Sequence, residues 1–342
     1  MELLVLPDSD ARKLRSEGQK WAFFRYWPEG SYRFDWISPH VLPWFSRVVE
    51  GRLLKVFVAQ AALAYLRERR YDAVVAYGAR SAVALALMHR LSGRRHPKLV
   101  VFDIEAFGRP RSGLKRWLVR LASEAIDAVI YHARSQETYY REHLPSLEGK
   151  THYVKLGFGM SPKTLSWDET GRGDFILSLG TTGPARREWK VLFEALAAVS
   201  PHPPLEIVGA SDLKGPLPNG VEIVPRLPIE KLRRRMEQCS FAVLPLTERG
   251  HAHGQLTMLD LMAAGAPVVV SDVSGIRDYV RAGTARLYRQ GDPASLTQEL
   301  RWMLDHTEER RRLARRARDV VREESDPSVF STSIYDVVKR VV

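Results

Sequence analysis

A single cysteine, Cys239, stands in the 342 residues, so no disulfide can form within the chain, and a reducing compartment suits it. It lies just before the apolar run Phe241–Leu244, where burial is expected rather than reactivity. Apolar runs are short, and none reaches the roughly 18–20 residues that cross a bilayer as a helix. The N-terminal MELLVLPDSD lacks a basic leader and sets Asp8 and Asp10 where the apolar core of an export signal would lie. A cytoplasmic location is therefore expected. No repeat of solenoid period and no low-complexity segment occurs, which excludes repeat arrays and biased tails. Zinc-finger spacing, a P-loop and a Gly-x-Ser-x-Gly nucleophile turn are also missing. Acidic residues are outnumbered, 40 against 52 Lys and Arg, for a net charge of +12. Such an excess attracts phosphorylated substrates, anionic lipid or nucleic acid alike. With no nucleic-acid module recognisable, nucleic acid is not expected as a partner.

What is present is an α/β pattern. With 45% hydrophobic residues, the length suits two domains of about 160 residues each. The most informative stretch runs from His253 to Asp272, HGQLTMLDLMAAGAPVVVSD. Gly254 opens it, an Ala- and Leu-rich segment of about three helical turns follows, and Gly265 stops the helix as the residue that tolerates the left-handed conformation. After Pro267, Val268–Val270 reads as a parallel strand buried on both faces. The helix N-terminus falls at the edge where such sheets bind ligands, and its free N–H groups and positive dipole end suit an anion.

This order of residues resembles the donor-binding element of GT-B glycosyltransferases, specifically the retaining group 1-like enzymes. The positions that carry the likeness are Gly254, Gln255, Thr257, Leu259, Asp260, Met262, Ala263, Gly265, Pro267, Val268 and Val269. Two positions depart from it: Asp260 stands where a Glu is usual, and Ala252 where a second Glu is frequent. About 70 residues upstream, Arg187-Glu188-Trp189 is similar to the Arg-Asp-Tyr that follows the first glycine-ended strand in the same enzymes. The resemblance implies two Rossmann-like domains with parallel sheets facing a cleft, and a C-terminal helix crossing back to the first. The boundaries expected are 1–160 for an acceptor domain, 161–327 for a nucleotide-sugar domain, and 328–342 for the returning helix. The non-periodic segment from Gly157 to Gly173 marks the linker.

In the first half, strands are expected at Leu3–Leu6, Ala73–Tyr77, Leu99–Phe102, Ala128–Tyr131 and Thr151–Val154, with weaker candidates at Phe23–Trp27 and Tyr32–Ile37. Helices are expected over Val48–Arg69, Ser81–Leu91 and Ser135–Arg141. Pro7-Asp8-Ser9-Asp10 replaces the glycine-rich loop frequent in related enzymes. Asp103 and Glu105 fall at the carboxyl end of a strand, near the acceptor side, and are the candidate catalytic carboxylates with His253. Between them and the next strand, Leu114, Trp117, Leu118 and Leu121 form an apolar stripe, with Arg111, Lys115, Arg116 and Arg120 around it. Two readings stay open: a helix that packs on the sheet with a solvated basic side, or one resting on an anionic membrane surface.

In the second half, strands are expected at Phe175–Leu179, Leu205–Val208, Val221–Val224 and Phe241–Leu244. Helices follow Arg187, span Ile229–Glu237 and Thr307–Glu323, and start at Asp292-Pro293. The resemblance gives the donor site residue by residue. Arg187 pairs with the diphosphate, and Lys190 is a second cation. Gln255, Leu256 and Thr257 offer backbone N–H groups, and Asp260 accepts from ribose hydroxyls. Arg226 and Leu227 frame the base, while Gly180 ends the first strand. His251 and His253 lack a third ligand in sequence, so no metal is expected there, and no cofactor is expected beyond the nucleotide sugar as substrate.

The expected activity is sugar transfer from a nucleotide-sugar donor to a glycan, lipid-linked or small-molecule acceptor, with retention, at the inner face of a membrane if the basic helix docks. A nucleotide-sugar epimerase on the same fold, or a non-catalytic nucleotide-sugar-binding relative, is the alternative.

Overall fold

The computed structural model describes residues 1–8, 23–42, 50, 56–109, 113–160, 165, 173–180, 187–211, 213, 215–251 and 253–342. The chain forms two units, Met1–Lys155 with Ser328–Val342, and Leu156–Pro327. Each is built on one parallel sheet of six strands. The α/β, two-sheet fold class expected from the sequence is the one found.

In the first unit the strands are β1 (Glu2–Leu6), β2 (Arg33–Trp36), β3 (Ala73–Tyr77), β4 (Lys98–Asp103), β5 (Ala128–Tyr131) and β6 (Thr151–Tyr153), in the order β2-β1-β3-β4-β5-β6. The apolar runs of β1, β3, β4 and β5 are buried because helices cover the sheet: α1 (Val58–Arg67), α2 (Ala79–Ser92), α3 (Gly113–Ser123) and α4 (Ser135–His143). Within the expected helix from Val48, Glu50 is helical and a regular helix runs over Val58–Arg67 before tightening into a 3-10 turn over Glu68–Arg70.

Phe23–Trp27 is a turn rather than a strand, with the Trp27 N–H donating to the Phe24 carbonyl at 3.3 Å. Its rings explain why: Phe24 stacks on Phe34 at 5.0 Å, and Trp27 meets Tyr32 and Tyr335 edge-on at 5.0 and 5.1 Å. The aromatics serve side-chain packing, which a turn provides and a regular strand would divide between two faces. The final helix, labelled α11 below (Pro327–Val341), joins this cluster. The Trp27 indole N–H donates to the Ser331 carbonyl at 3.0 Å, and the Ser331 hydroxyl to the Phe23 carbonyl at 2.6 Å.

Helix α3 packs with only part of its apolar stripe. Its buried residues are Val119, Ala122 and Ser123, while Leu114 is 71% and Trp117 58% exposed. Leu118 and Leu121 are half-buried, so the outer half of the stripe is left open. Small side chains at 122 and 123 let the helix approach the body closely, and the Ser123 hydroxyl finds partners at the Arg120 carbonyl and Ser146.

The second unit carries β7 (Ile176–Leu179), β8 (Leu205–Val208), β9 (Val221–Val224), β10 (Phe241–Leu244), β11 (Val268–Ser271) and β12 (Arg286–Tyr288), in the order β12-β11-β10-β7-β8-β9. Strands β7, β10 and β11 are buried along their whole length, as continuous apolar runs require. The helices are α5 (Trp189–Ala197), α6 (Ile229–Gln238), α7 (Gln255–Ala263), the short α8 (Ser274–Arg277), α9 (Pro293–Asp305) and α10 (Thr307–Glu324). Asp292 caps α9 through the Ser295 N–H, with Pro293 at its first position. Strand β12 and helix α8 were not expected; at three and four residues they are too short to leave a periodic signal.

Candidate active site

The order of the second sheet reverses at β7, which lies between β8 and β10, and this is where open parallel sheets receive ligands at their carboxyl ends. Gly180 ends β7. A Cβ there would sit 2.6 Å from the Ala210 Cβ, so glycine is what lets the β7 and β8 ends close together.

Arg187 reaches this edge and is only 4% exposed. Its backbone forms an isolated antiparallel bridge to Leu246, just past β10. Its Nε donates to the Leu179 carbonyl at 3.0 Å, and Nη1 lies 3.4 Å from His253 Nε2. The next residue holds the segment in place: the Glu188 N–H donates to the Pro245 carbonyl at 2.8 Å, and its carboxylate accepts from the Gly291 N–H and the Gln290 amide. A guanidinium is thus fixed at the switch point by backbone, not held on a loose side chain.

Helix α7 begins beside it. Gly254 takes φ +80°, and a Cβ there would meet Leu246 Cδ1 at 2.6 Å, so both backbone and space demand glycine. No side chain caps the helix, and the first N–H to find a helical acceptor is that of Met258, on the Gly254 carbonyl. The N–H groups of Gln255, Leu256 and Thr257 are the donors of this first turn. Gln255 is buried, and its amide donates to the Gly275 carbonyl at 2.7 Å, clamping α8 to α7. Leu256 is exposed and Thr257 half-buried. At the far end, Gly265 (φ +74°) donates to the Met262 carbonyl and closes the helix.

Asp260 has a partner that the sequence did not suggest. Its Oδ1 accepts from the Gly159 and Met160 N–H groups at 2.7 and 3.1 Å, anchoring the segment that enters the unit. Burial pushes its carboxyl up to about 6, against the lowering effect of those two donors. No hydrogen-bond partner of Oδ2 is found among the described residues.

Two further groups shape this edge and were not singled out in the sequence. Glu248 accepts from the Ser274 N–H and hydroxyl, both at 2.7 Å, and from the Gly250 N–H at 2.5 Å, and these donors hold its carboxyl below the usual range against the burial that raises it. Ser271 accepts from the Leu246 N–H at 2.7 Å and donates to the Tyr288 hydroxyl. Both are long-range pairings, 26 and 25 residues apart, with no local pattern.

Other expected donor residues lie outside this cluster. The Lys190 side chain is 90% exposed and pairs with Glu194 at 3.7 Å. Arg226 is exposed beyond β9, two strands from the switch point, with Leu227 packed on the unit's core.

In the first unit, Asp103 ends β4 and is fully buried. It accepts from the Phe107 N–H at 2.8 and 3.0 Å, the Glu105 N–H at 3.2 Å and the Tyr140 hydroxyl at 2.9 Å. Those bonds hold a loop in which Ala106, Phe107 and Arg109 all have positive φ, a costly conformation for non-glycine residues. Burial raises its carboxyl to about 6, partly offset by the bonds it accepts. Asp103 anchors this loop and is buried, whereas Glu105 is exposed at the same edge. Asp8, after β1, joins them; burial raises its carboxyl, with Arg80 opposing and Glu105 adding to the rise. On α3, Lys115 and Arg120 are exposed and Arg116 half-buried, while Arg111 lies outside the described residues.

Residues 173–306 match the family model for glycosyl transferases group 1. No curated protein matches the chain. Among solved structures, sucrose-phosphate synthase from Thermosynechococcus elongatus is similar over 100% of this chain and 99% of its own, at 15% identity and a TM-score of 0.77. HepE of Anabaena, in complex with UDP-glucose, is similar over 99% and 100% at 14% identity and a TM-score of 0.71. The lipopolysaccharide outer core galactosyltransferase WaaB is similar over 100% of both chains at 13% identity and a TM-score of 0.67. At these identities the likeness is one of fold, and the frame is the GT-B one.

Proposed function

We propose that this chain, a glycosyltransferase with a group 1 domain on a GT-B frame, transfers a sugar from a nucleotide diphosphate to a glycan or lipid-linked acceptor with retention at the anomeric carbon. The observation that carries the reading is the buried Arg187 beside the uncapped first turn of α7, at the carboxyl ends of β7 and β10. In the transfer, the bond from the anomeric carbon to the β-phosphate oxygen breaks and one to the acceptor oxygen forms. The acceptor hydroxyl attacks on the face from which the diphosphate departs and passes its proton to the leaving phosphate oxygen, and the diphosphate leaves with the bonding pair. Its developing charge is met by the N–H groups of Gln255, Leu256 and Thr257 and by the Arg187 guanidinium, fixed dipoles and charge that need no reorganisation. This reading routes no step through a metal.

Asp260 Oδ2 takes a ribose hydroxyl, His253 beside Arg187 contacts phosphate or sugar, and Gly180 keeps the β7 end open to both. Arg226 and Leu227 frame the base, and Lys190 adds a distant positive charge. On the first unit, Glu105 and Asp8 are the carboxylates offered to the acceptor, with Asp103 positioning their loop. The complex of HepE with UDP-glucose makes uridine diphosphate sugars the first donors to try.

A position on an anionic leaflet belongs to the same reading. The exposed Leu114 and Trp117 flanked by Lys115, Arg116 and Arg120 support it, as a basic amphipathic surface does in general. No described helix is long and apolar enough to cross a membrane. Incubating the protein with a panel of nucleotide sugars and measuring nucleoside diphosphate release tests the activity. Release that rises with added glycan or lipid-linked acceptor, and a product with the donor's anomeric configuration by NMR, is expected. Conversion of the nucleotide sugar to its epimer without acceptor would replace transfer by epimerisation.

A further inference from the structure

A second cluster of chemistry-bearing side chains lies at the opposite edge of the first sheet. Glu68 opens the 3-10 turn after α1, His89 is in the last turn of α2, and His96 sits on the connection into β4. All three are near the amino ends of β3 and β4, whereas Asp8, Asp103 and Glu105 are at carboxyl ends. Glu68 Oε2 lies 2.8 Å from His89 Nε2, and Oε1 lies 2.8 Å from His96 Nδ1. The two imidazoles stack, 3.9 Å apart and tilted by 10°. The Glu68 and His89 side chains are 2% and 3% exposed, and that of His96 12%, so the cluster opens to solvent only past His96.

Ser92 closes the cluster on its outer side: its oxygen lies 2.7 Å from His96 Nε2 and 3.0 Å from the His89 carbonyl, and accepts the Arg94 N–H at 3.3 Å. Both oxygens of the buried Glu68 carboxylate face ring nitrogens, and a dication between the three ligand atoms would meet the carboxylate's charge and both nitrogens together.

We propose that Glu68, His89 and His96 bind a divalent transition-metal ion of the zinc class, with water completing the coordination at the His96 rim. Two histidines and one carboxylate are a donor set such ions accept. The three ligand atoms lie within 4.8 Å of one another, and this is the one such group among the described residues. Tetrahedral coordination at about 2.1 Å sets ligand atoms roughly 3.4 Å apart, and the two rings tilt out of their stack for both nitrogens to face one ion. The Ser92 oxygen, 2.7 Å from His96 Nε2, is placed to accept the outer hydrogen bond that would fix a metal-bound imidazole's tautomer. The ion ties the end of α1, the end of α2 and the lead into β4 into one clamp, away from the transfer site.

The test uses the full-length, tag-free chain, stripped by dialysis against a chelator. Adding Co2+ is expected to give the visible d–d bands of a low-symmetry site at one equivalent per chain, bleached by one equivalent of Zn2+. Glu68→Gln and His96→Gln each weaken Co2+ binding by at least about 100-fold, and Ser92→Ala, outside the ligand set, by about 10-fold. Nucleoside diphosphate affinity is unchanged in all three. If Glu68→Gln does not fold, the wild-type spectrum and Ser92→Ala still decide. A wild-type protein without these bands, or bands that persist in Glu68→Gln and His96→Gln, overturns the proposal.

Discussion

The carboxyl edges of the two sheets share a topology and differ in charge. In the second unit the edge presents a guanidinium and the N–H groups of an uncapped helix; in the first it presents Asp8, Asp103 and Glu105. Both edges follow from parallel strands whose order reverses, at β7 in one unit and at β1 in the other. The fold therefore sets where a ligand can sit, and the loops set its sign. In the function proposed above, the donor's negative charge is met at the second edge and the acceptor is received at the first. Arg187 and Asp103 are both buried and held by backbone: Arg187 donates to the Leu179 carbonyl and meets His253, and Asp103 accepts from its own loop.

The largest effect that sharpens this comparison is expected at Gly254. Gly254→Ala puts a Cβ against Leu246 at φ +80°, which is expected to cost about 3 kcal/mol in urea unfolding and to remove nucleotide binding with it. A stable variant with normal binding would mean that the start of α7 can shift without loss, and that the donor is held elsewhere.

On the acidic edge, Asp103 has its carboxyl raised to about 6 from an ordinary 3.8. Because the folded state holds the proton more tightly, this contribution is fully present below about pH 3.8 and is lost as pH rises through about 6. Asp103→Asn never ionises. Its stability relative to wild type is expected to improve by about 2–3 kcal/mol between pH 4 and pH 7, whatever its absolute value. A difference independent of pH in urea midpoints would show that Asp103 ionises normally and that burial is not what sets it.

A smaller effect is expected on α3. With about 1 kcal/mol per basic residue near an anionic leaflet, Lys115→Glu/Arg116→Glu is expected to cut co-sedimentation with anionic vesicles by about 30-fold and to leave binding to neutral ones unchanged. Equal pelleting of both proteins with both vesicle types would return the exposed Trp117 to an ordinary surface residue. The smallest effect concerns Asp260. Asp260→Asn keeps an oxygen for the Gly159 N–H but loses acceptor capacity for ribose, so donor affinity is expected to fall by about 1 kcal/mol with the fold intact. Loss of folding with donor affinity retained would make the residue purely an anchor.

Much of the frame was legible in the sequence because it is written locally. Val268–Val270 is apolar throughout and is a buried strand, and Gly254 and Gly265 bracket a helix at positive φ. The face of α3 was not legible. Counting large apolar residues selects Leu114 and Trp117, whereas packing selected Val119, Ala122 and Ser123, whose small size permits close approach. Phe23–Trp27 misled for a related reason, since aromatic content signals strands and clusters alike. In the candidate site, the types at 187 and 254–257 could be named, but the bridge from Arg187 to Leu246 and the bonds from Asp260 to Gly159 and Met160 join residues 59 to 101 positions apart. Glu68, His89 and His96 were missed altogether. The seven-residue spacing of the histidines across the Gly93 turn was a signal, but Glu68 lies 21 positions before the first of them.

The central claim is that the second unit's edge binds the diphosphate of a nucleotide through Arg187 and the start of α7. Titrating UDP and other nucleoside diphosphates into wild type and Arg187→Ala by calorimetry, with near-UV circular dichroism to verify the fold, tests it most directly. Wild type is expected to bind one equivalent, and a folded Arg187→Ala to bind about 1.5–3 kcal/mol more weakly, the scale of a hydrogen bond to a charged group. An unchanged dissociation constant in the folded variant, or no nucleoside diphosphate bound by wild type, would contradict the account.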